Sequence, residues 1–252
     1  MQTDAFVEYQ DFTGQKIMLG LSGGINSGAI LCWLASNYPK NYLPHELHLF
    51  YAHFEEHSDD TYDFVKALVA YAKGKLPSEV DIIFETTWNS VNTFFGQQRM
   101  IPHPTNSMCS IQLKIEPMFN YMKKYDIEFD LVGYVRHEKG RLDRQQSYDN
   151  EQSKSKVYPI TSMSDADCLS LCEKEIGWVP EIYKIKYSDG SRVFKHNNCL
   201  PCKNMHDYQM KEVKMHFPEK YNRALQTAKD MGQHWGRKDE VDELICPTCD
   251  WD

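Results

Sequence analysis

The chain has 252 residues, a formal net charge of −8 at pH 7 and hydrophobic residues at 41% of its positions. This length is enough for one large domain or two smaller ones with a buried core. The negative net charge excludes a global basic field that would attract nucleic acid or an anionic membrane, and every apolar run is too short to span a bilayer. The N-terminus lacks the basic start and apolar core of a signal peptide, so we expect a cytoplasmic protein with no membrane partner.

A glycine-rich loop near the N-terminus is the most informative segment. The apolar run Ile17–Leu21 reads as a buried strand, and Ser22-Gly23-Gly24-Ile25-Asn26-Ser27 then leads into a predicted helix, Ser27–Leu34. Glycines let backbone N–H groups approach a ligand, and a helix N-terminus adds unpaired donors and a positive dipole end. The segment therefore predicts a phosphate site. A tight strand-to-helix turn without a ligand is the alternative interpretation of this segment taken alone.

Apolar runs alternate with helical patterns over the first two thirds of the chain, which predicts an α/β fold with a doubly wound, mostly parallel sheet. The predicted strands are Ile17–Leu21, Leu47–Ala52, Val80–Phe84 and Phe129–Gly133. The predicted helices are Ser27–Leu34, one capped by Ser58, Ile111–Lys124, one capped by Ser164, Met205–Phe217 and Glu219–Met231. We expect a nucleotide-binding domain over residues 1–160 and an α-rich, cysteine-containing region over residues 161–252.

Three arginines follow the last predicted strand, in the stretch from Gly133 to Arg144. The guanidinium group of arginine is a rigid fork of donors that suits phosphate or sulfate oxygens. Ligands of such sheets bind beyond the carboxyl ends of the strands, which favours a functional role for Arg136 and Arg141, with Glu138 orienting one arginine. A solvated charged loop is the alternative.

The eight cysteines include two Cys-x-x-Cys units, Cys199–Cys202 and Cys246–Cys249. In a reducing compartment such pairs indicate metal or redox chemistry rather than disulfides. Four thiolates suit zinc or an iron–sulfur cluster, and two separate redox pairs are the remaining alternative. The other cysteines are Cys109 and three that we expect in the core: Cys32, Cys168 and Cys172.

The order of these motifs resembles the phosphoadenosine-phosphosulfate reductase-like branch of the adenine nucleotide alpha-hydrolase (PP-loop ATP pyrophosphatase) superfamily. The resemblance runs from about Lys16 to Cys202. The segments that carry it are Ser22–Ser27, Phe54–Val65, Cys109 with Lys114 and Pro117, Gly133 with Arg136, Glu138 and Arg141, Tyr158–Ile160 with Asp165 and Asp167, Pro180 with Tyr183, and Cys199 with Cys202.

The resemblance implies a Rossmann-like sheet of the HUP type and a site for ATP or a related adenine nucleotide, with Mg²⁺. The implied nucleotide-binding residues are Leu21, Ser22, Gly23, Gly24, Ser27, His53, Phe54 and Gly133. The implied catalytic residues are Asn26, Lys114, Arg136 and Arg141. The implied reaction cleaves ATP between its α and β phosphates and adenylates an acceptor for sulfur or nitrogen transfer.

The chain departs from the family pattern at three places. Asn26 stands where most members have aspartate, and an amide supplies no charge to Mg²⁺. The C-terminus, Cys246-Pro247-Thr248-Cys249-Asp250-Trp251-Asp252, lacks the Glu-Cys-Gly-x-His element of the reductases. Cys109 is followed by Ser110 where cluster-binding members have a second cysteine. Two sets of metal ligands are therefore open: Cys199, Cys202, Cys246 and Cys249, or Cys109, Cys199 and Cys202 with Cys246 or Cys249 as the fourth.

Two other functions remain open beside the adenylating enzyme. One is a sulfonucleotide reductase or sulfurtransferase that uses cysteine or cluster chemistry, with Cys109 as the candidate nucleophile. The other is a nucleotide-binding protein without catalysis, for which Asn26 is the main support. The acceptor is open and includes tRNA or DNA, for which Tyr208, Lys211, Lys214, His216, Lys220 and Arg223 form a candidate basic face. An oligomer is compatible with the sequence.

Overall fold

The computed structural model describes residues 10–100, 108–147 and 156–232 of the chain. Its centre is a sheet of five strands in the order β3-β2-β1-β4-β5. The pairs β1–β2, β1–β4 and β4–β5 are parallel, and Leu21 at the end of β1 lies opposite Tyr51 of β2. The structure confirms the predicted α/β fold with a doubly wound parallel sheet and a C-terminal helical extension.

The elements follow one another in a regular strand-and-helix alternation over the first two thirds of the chain. The strands are β1 (Lys16–Leu21), β2 (Glu46–Phe54), β3 (Asp81–Asn89), β4 (Phe129–Leu131) and β5 (Lys156–Val157). The α-helices are α1 (Ile25–Asn37), α2 (Thr61–Lys75), α3 (Val91–Gln98), α4 (Met108–Ser110), α5 (Glu116–Tyr125), α6 (Lys139–Ser147), α7 (Asp165–Ile176), α8 (Asp207–His216) and α9 (Pro218–Asp230). A π-helical turn, Ile111–Ile115, joins α4 to α5.

Burial explains why the sequence of the central strand, β1, is a continuous apolar run from which the strand could be predicted. Ile17, Met18 and Leu19 of β1 are fully buried because β1 has a strand on each side and helices cover the sheet. Helices α1 and α7 pack against each other in the same core. Cys32, Cys168 and Cys172 are fully buried there, as predicted.

Two predictions about helices are corrected. Helix α2 begins at Thr61 after an Asp60 N-cap, so Ser58 does not cap it. The helix predicted over Ile111–Lys124 is present, but Ile111–Ile115 form a π-helical turn and regular α-helix begins only at Glu116. The Ser164 cap is confirmed: its hydroxyl accepts a hydrogen bond from the Asp167 N–H at the start of α7.

The fold divides into two compact units. Unit 1 takes its described residues from 1–51, 60–86 and 118–180, and unit 2 takes them from 52–59, 87–117 and 181–252. The predicted boundary after residue 160 stays a prediction. No helix among the described residues is both long enough and apolar enough to cross a membrane.

Candidate functional site

The glycine-rich loop of unit 1 connects β1 to α1 as predicted. Gly23 has a φ of 71°, a left-handed conformation that favours glycine, and Gly24 is the N-cap of α1. No side chain among the described residues caps this helix N-terminus. The first turn of α1 therefore presents backbone donors and a positive dipole end at the loop.

The hydroxyl groups of two serines stabilise the loop through hydrogen bonds within it. The Ser27 hydroxyl accepts a hydrogen bond from the Ser22 N–H at 3.0 Å and donates to the Gly24 carbonyl at 3.2 Å. The Ser22 hydroxyl lies 3.0 Å from that of Ser27 and accepts from the Gly24 N–H at 3.2 Å. These bonds hold the loop in one shape before any ligand binds, which reduces the entropy cost of binding.

Asn26 and Gly133 bring the end of β4 against the start of α1. The Asn26 amide nitrogen donates to the Gly133 carbonyl at 3.4 Å. A Cβ at position 133 would lie 3.3 Å from the Asn26 Cβ, so glycine permits this close approach. The Asn26 Oδ1 atom is buried and has no hydrogen-bond partner among the described residues. A buried acceptor without a donor is costly, so this atom is suited to a ligand that donates to it or to a metal-bound water.

The arginine segment that follows is ordered by its own side chains. Glu138 orients Arg141, whose guanidinium donates to the Glu138 carboxylate and lies 4.9 Å from the centre of the Tyr134 ring. Arg136 donates through its guanidinium to the Ser162 carbonyl, and its backbone N–H donates to the Met163 carbonyl. The side chains of Arg136 and Arg141 are exposed, and each guanidinium group already donates to a protein acceptor. They are positioned rather than freely mobile.

His53 and Phe54, predicted to bind the nucleotide, lie in unit 2 at the end of β2. The His53 ring is 4.3 Å from the Trp88 ring, and burial lowers the pKa of His53. Phe54 is only 6% exposed and contacts the ring of His57. Phe54 thus packs into unit 2, whereas His53 lies beside Trp88, which is 63% exposed.

Lys114, predicted to be catalytic, belongs to the π-helical turn of unit 2. Its positive charge acts to lower the pKa of both His57 and Cys199. Burial, with the nearby charge of Lys114 second, lowers the pKa of His57 to about 3, so this imidazole is neutral at neutral pH. π-helical turns are rare in proteins, and those that do occur are frequently found at functional sites.

Cys109, Cys199 and Cys202 lie in the same unit. Burial is the main cause that raises the pKa of the Cys199 and Cys202 thiols, and the Cys109 thiol acts on both in the same direction. None of the cysteines in the described ranges forms a disulfide. No three His, Cys, Asp or Glu side chains of those ranges lie close enough together to hold a metal ion. Cys246 and Cys249, the other predicted ligands, lie outside the described residues.

A buried carboxylate of unit 2, Glu56, was not predicted as a site residue. It is 3% exposed and accepts hydrogen bonds from Ser90, Val91 and Asn92 at the start of α3. Its carbonyl accepts from the Leu200 N–H, inside the Cys199–Cys202 turn, at 2.8 Å. The sequence shows two adjacent glutamates here, with no periodicity that would tell the buried one from the exposed one.

The comparison with family models decides the family. The model of the phosphoadenosine phosphosulfate reductase domain matches residues 16–190, which include β1, the glycine-rich loop, Gly133 and the arginine segment. The chain belongs to the phosphoadenosine phosphosulfate reductase domain family. Cys199 and Cys202 fall beyond the matched residues.

The comparison with curated proteins gives no significant match. Several solved structures are distantly similar to this chain. NMN synthetase from Francisella tularensis is 12% identical, with a TM-score of 0.45 over 86% of this chain and 87% of that one. The U34-tRNA thiolase NcsA from Methanococcus maripaludis, solved with its 4Fe–4S cluster, is 14% identical, with a TM-score of 0.43 over 88% of this chain and 73% of that one. Csm6 from Enterococcus italicus is 14% identical, with a TM-score of 0.30 over 87% of this chain and 49% of that one.

Proposed function

We propose that this chain is an adenine-nucleotide-binding enzyme that cleaves ATP between its α and β phosphates and adenylates an acceptor for sulfur or nitrogen transfer. The observation that supports this most is the loop of unit 1. It combines a left-handed Gly23, an N-terminus of α1 without a side-chain cap among the described residues, and the buried, unpartnered Asn26 Oδ1 atom. These features lie within the residues matched by the family model.

Each loop residue has a role in this proposal. Backbone N–H groups in the first turn of α1 bind phosphate oxygens, helped by the helix dipole, whereas the Gly24 N–H is used within the loop on the Ser22 hydroxyl. The hydroxyls of Ser22 and Ser27 hold the loop in shape through their hydrogen bonds to each other and to the loop backbone. Leu21 ends β1 at this loop, where an adenosine would lie.

The chemical step is a substitution at the α phosphorus. An acceptor oxygen forms a bond to this phosphorus, the bond to the bridging oxygen breaks, and pyrophosphate leaves with the electron pair. Arg136 and Arg141 stabilise the negative charge that develops on the leaving group. Mg²⁺, when bound with the nucleotide, would neutralise phosphate charge. Asn26 Oδ1 is a neutral oxygen that suits a metal-bound water better than direct charge pairing.

The test of this function is the turnover of ATP with substitutions at position 26. We expect wild-type protein to release pyrophosphate in the presence of Mg²⁺ and an acceptor pool from cell extract. Asn26→Ala should lower kcat/KM about 10- to 100-fold, the usual range when a group that holds a metal-bound water is lost. Asn26→Asp should lower the Mg²⁺ concentration required, because a carboxylate attracts the metal more strongly.

The matched control is Asn41→Ala, an asparagine of unit 1 in the 3₁₀ turn Lys40–Tyr42, away from the loop. It should leave turnover unchanged. If wild-type protein binds ATP tightly but releases no pyrophosphate with any acceptor, the adenylating function is wrong and a nucleotide-binding role without catalysis is favoured.

The cysteines of unit 2 favour a second candidate, a sulfurtransferase or sulfonucleotide reductase. Cys199 and Cys202 are soft thiol ligands on one turn, and the Cys109 thiol contributes to the raised pKa of each. Thiols with a raised pKa are poor free nucleophiles, whereas a bound metal deprotonates its thiol ligands. We therefore propose Cys199 and Cys202, completed by Cys246 and Cys249, as ligands of zinc or a 4Fe–4S cluster, because Cys109 does not form a three-residue metal-binding group with them among the described residues.

Nucleic acid as the acceptor has less support in the structure. Several cations of the candidate basic face have acidic partners: Lys220 pairs with Asp59 at 2.7 Å, Arg223 with Glu55 at 2.7 Å, and His216 lies 3.4 Å from Glu212. These pairs reduce the positive potential that a phosphate backbone would meet. The acceptor is therefore proposed only as an oxygen-bearing molecule, with tRNA or DNA retained as candidates.

A further inference from the structure

The cysteine turn of unit 2 is connected to one buried carboxyl group. Glu56 lies on the turn that follows β2, and its own carbonyl accepts the Leu200 N–H at 2.8 Å. Leu200 lies between Cys199 and Cys202 and is fully buried. The main chain of Glu56 is thus a direct hydrogen-bonding support of the turn that carries both thiols.

The Glu56 side chain fixes that main chain against the start of α3. One carboxylate oxygen accepts from the Ser90 hydroxyl at 2.8 Å and from the backbone and side-chain nitrogens of Asn92, both at 3.0 Å. The other oxygen accepts from the Val91 N–H at 2.9 Å. These donors sit at a helix N-terminus, where a negative side chain is favoured.

All four partners of Glu56 donate, which makes the carboxylate hard to replace. A glutamine at this position keeps the shape but presents an NH₂ group to at least one N–H donor. That arrangement loses one hydrogen bond and leaves a buried donor without an acceptor. The neighbouring Glu55 differs, because it is about half exposed and pairs with Arg223 on the surface.

We propose that Glu56 is a positioning residue that orients the Cys199 and Cys202 thiols by fixing the main chain to which Leu200 is bonded. The inference rests on the proposed function, in which these thiols bind a metal or carry sulfur. Groups that orient metal ligands or reactive side chains in this indirect way typically change affinity or reactivity by about 10- to 100-fold when removed.

The test is the rate at which N-ethylmaleimide labels each cysteine of the native, full-length protein as purified, measured by mass spectrometry. Glu56→Gln should raise labelling of Cys199 and Cys202 about 10-fold, because the turn opens more often. The matched control Glu55→Gln removes the neighbouring carboxylate and should leave both rates within about 2-fold of wild type. Cys32, Cys168 and Cys172, buried in unit 1, report on general unfolding.

Two results would overturn the proposal. Unchanged labelling of Cys199 and Cys202 in Glu56→Gln would show that the carboxylate does not hold the turn. A parallel rise at Cys32, Cys168 and Cys172 would show a general loss of stability instead. If Glu56→Gln does not fold, Ser90→Ala removes one of the four donors and should give a smaller rise at the same two thiols, with no rise again counting against the proposal.

Metal analysis of the same wild-type preparation, purified without oxygen, tests the proposed function separately. Iron with a brown colour indicates a cluster, and zinc in a colourless protein indicates a structural site. Protein without metal would contradict the metal part of the proposed function. The role of Glu56 would still be decided by the labelling rates alone.

Discussion

Asp130 carries a carboxyl group into the interior of unit 1, in β4. It is 3% exposed, and burial raises its pKa to about 7, with the charge of Lys156 acting in the opposite direction. In the unfolded chain an aspartate titrates near pH 4. Between about pH 4 and pH 7 the folded state therefore retains a proton that the unfolded state has lost. The free energy of unfolding must fall as the pH rises through this window.

Replacing Asp130 by asparagine should remove this pH dependence. Asparagine matches the shape of the protonated acid and carries no charge. We expect Asp130→Asn to increase the free energy of unfolding by about 1–4 kcal/mol at pH 8.5 and by about half as much at pH 5.5. Urea unfolding at the two pH values measures this. A stabilisation that is equal at both would contradict the assigned pKa.

Single residues divide into those that sequence could identify and those that it could not. Glu138 was expected to orient an arginine, and it pairs with Arg141, because the two lie one helical turn apart. The contact of Gly133 with a nucleotide stays a prediction, and the structure adds its close packing on Asn26, which the sequence did not indicate. Glu56 was missed, since its partners lie more than 30 residues away in sequence. Long-range partners of this kind leave no local pattern.

Among the secondary-structure elements, α1 depends on a glycine for its packing. A Cβ at Gly28 would lie 3.1 Å from the Cys172 Sγ atom and 3.4 Å from atoms of Leu68 and Phe64. We expect Gly28→Ala to lower the free energy of unfolding by about 1–3 kcal/mol through overpacking, despite the better helix propensity of alanine. Denaturant unfolding measures the change.

Gly74→Ala in α2 is the matched control, because no neighbouring atom lies within 4 Å of its added Cβ. It should be neutral or stabilising by up to about 1 kcal/mol. Adding Cys172→Ala to Gly28→Ala should recover part of the loss, since it removes the closest atom. Equal effects of the two glycine substitutions would contradict the packing of α1 on α7.

Elements with a strong local signal were predicted, and short or irregular ones were not. The central strands are continuous apolar runs, and α7 has a cap and acidic first turn that its sequence displays. Strand β5 has only two residues, Lys156 and Val157, which is too short for a pattern of alternating polar and apolar residues to appear. Helix α3 was missed because its apolar residues follow β3 with little separation. The π-helical turn depends on packing, so the pattern over Ile111–Lys124 reads as one α-helix.

At the scale of the whole molecule, each unit brings together one group of predicted site residues. Unit 1 contains the glycine-rich loop, Asn26, Gly133 and the arginines, and unit 2 contains His53, Phe54, Lys114 and the described cysteines. The order of motifs along the chain was enough to predict the family and the sheet. It was not enough to predict how the units divide, because each unit is assembled from separate segments of the chain.

The central claim is that the loop of unit 1 binds an adenine nucleotide. Isothermal titration calorimetry of the full-length protein with ATP and Mg²⁺ tests it most directly. We expect saturable binding to the wild-type protein. Ser27→Ala should weaken this binding about 10-fold, because it removes the hydrogen bonds to Ser22 and Gly24 that hold the loop. Ser36→Ala, at the other end of α1, should leave the affinity unchanged. Absence of saturable binding of ATP and of phosphoadenosine phosphosulfate, or equal affinities in the two serine variants, would contradict the account.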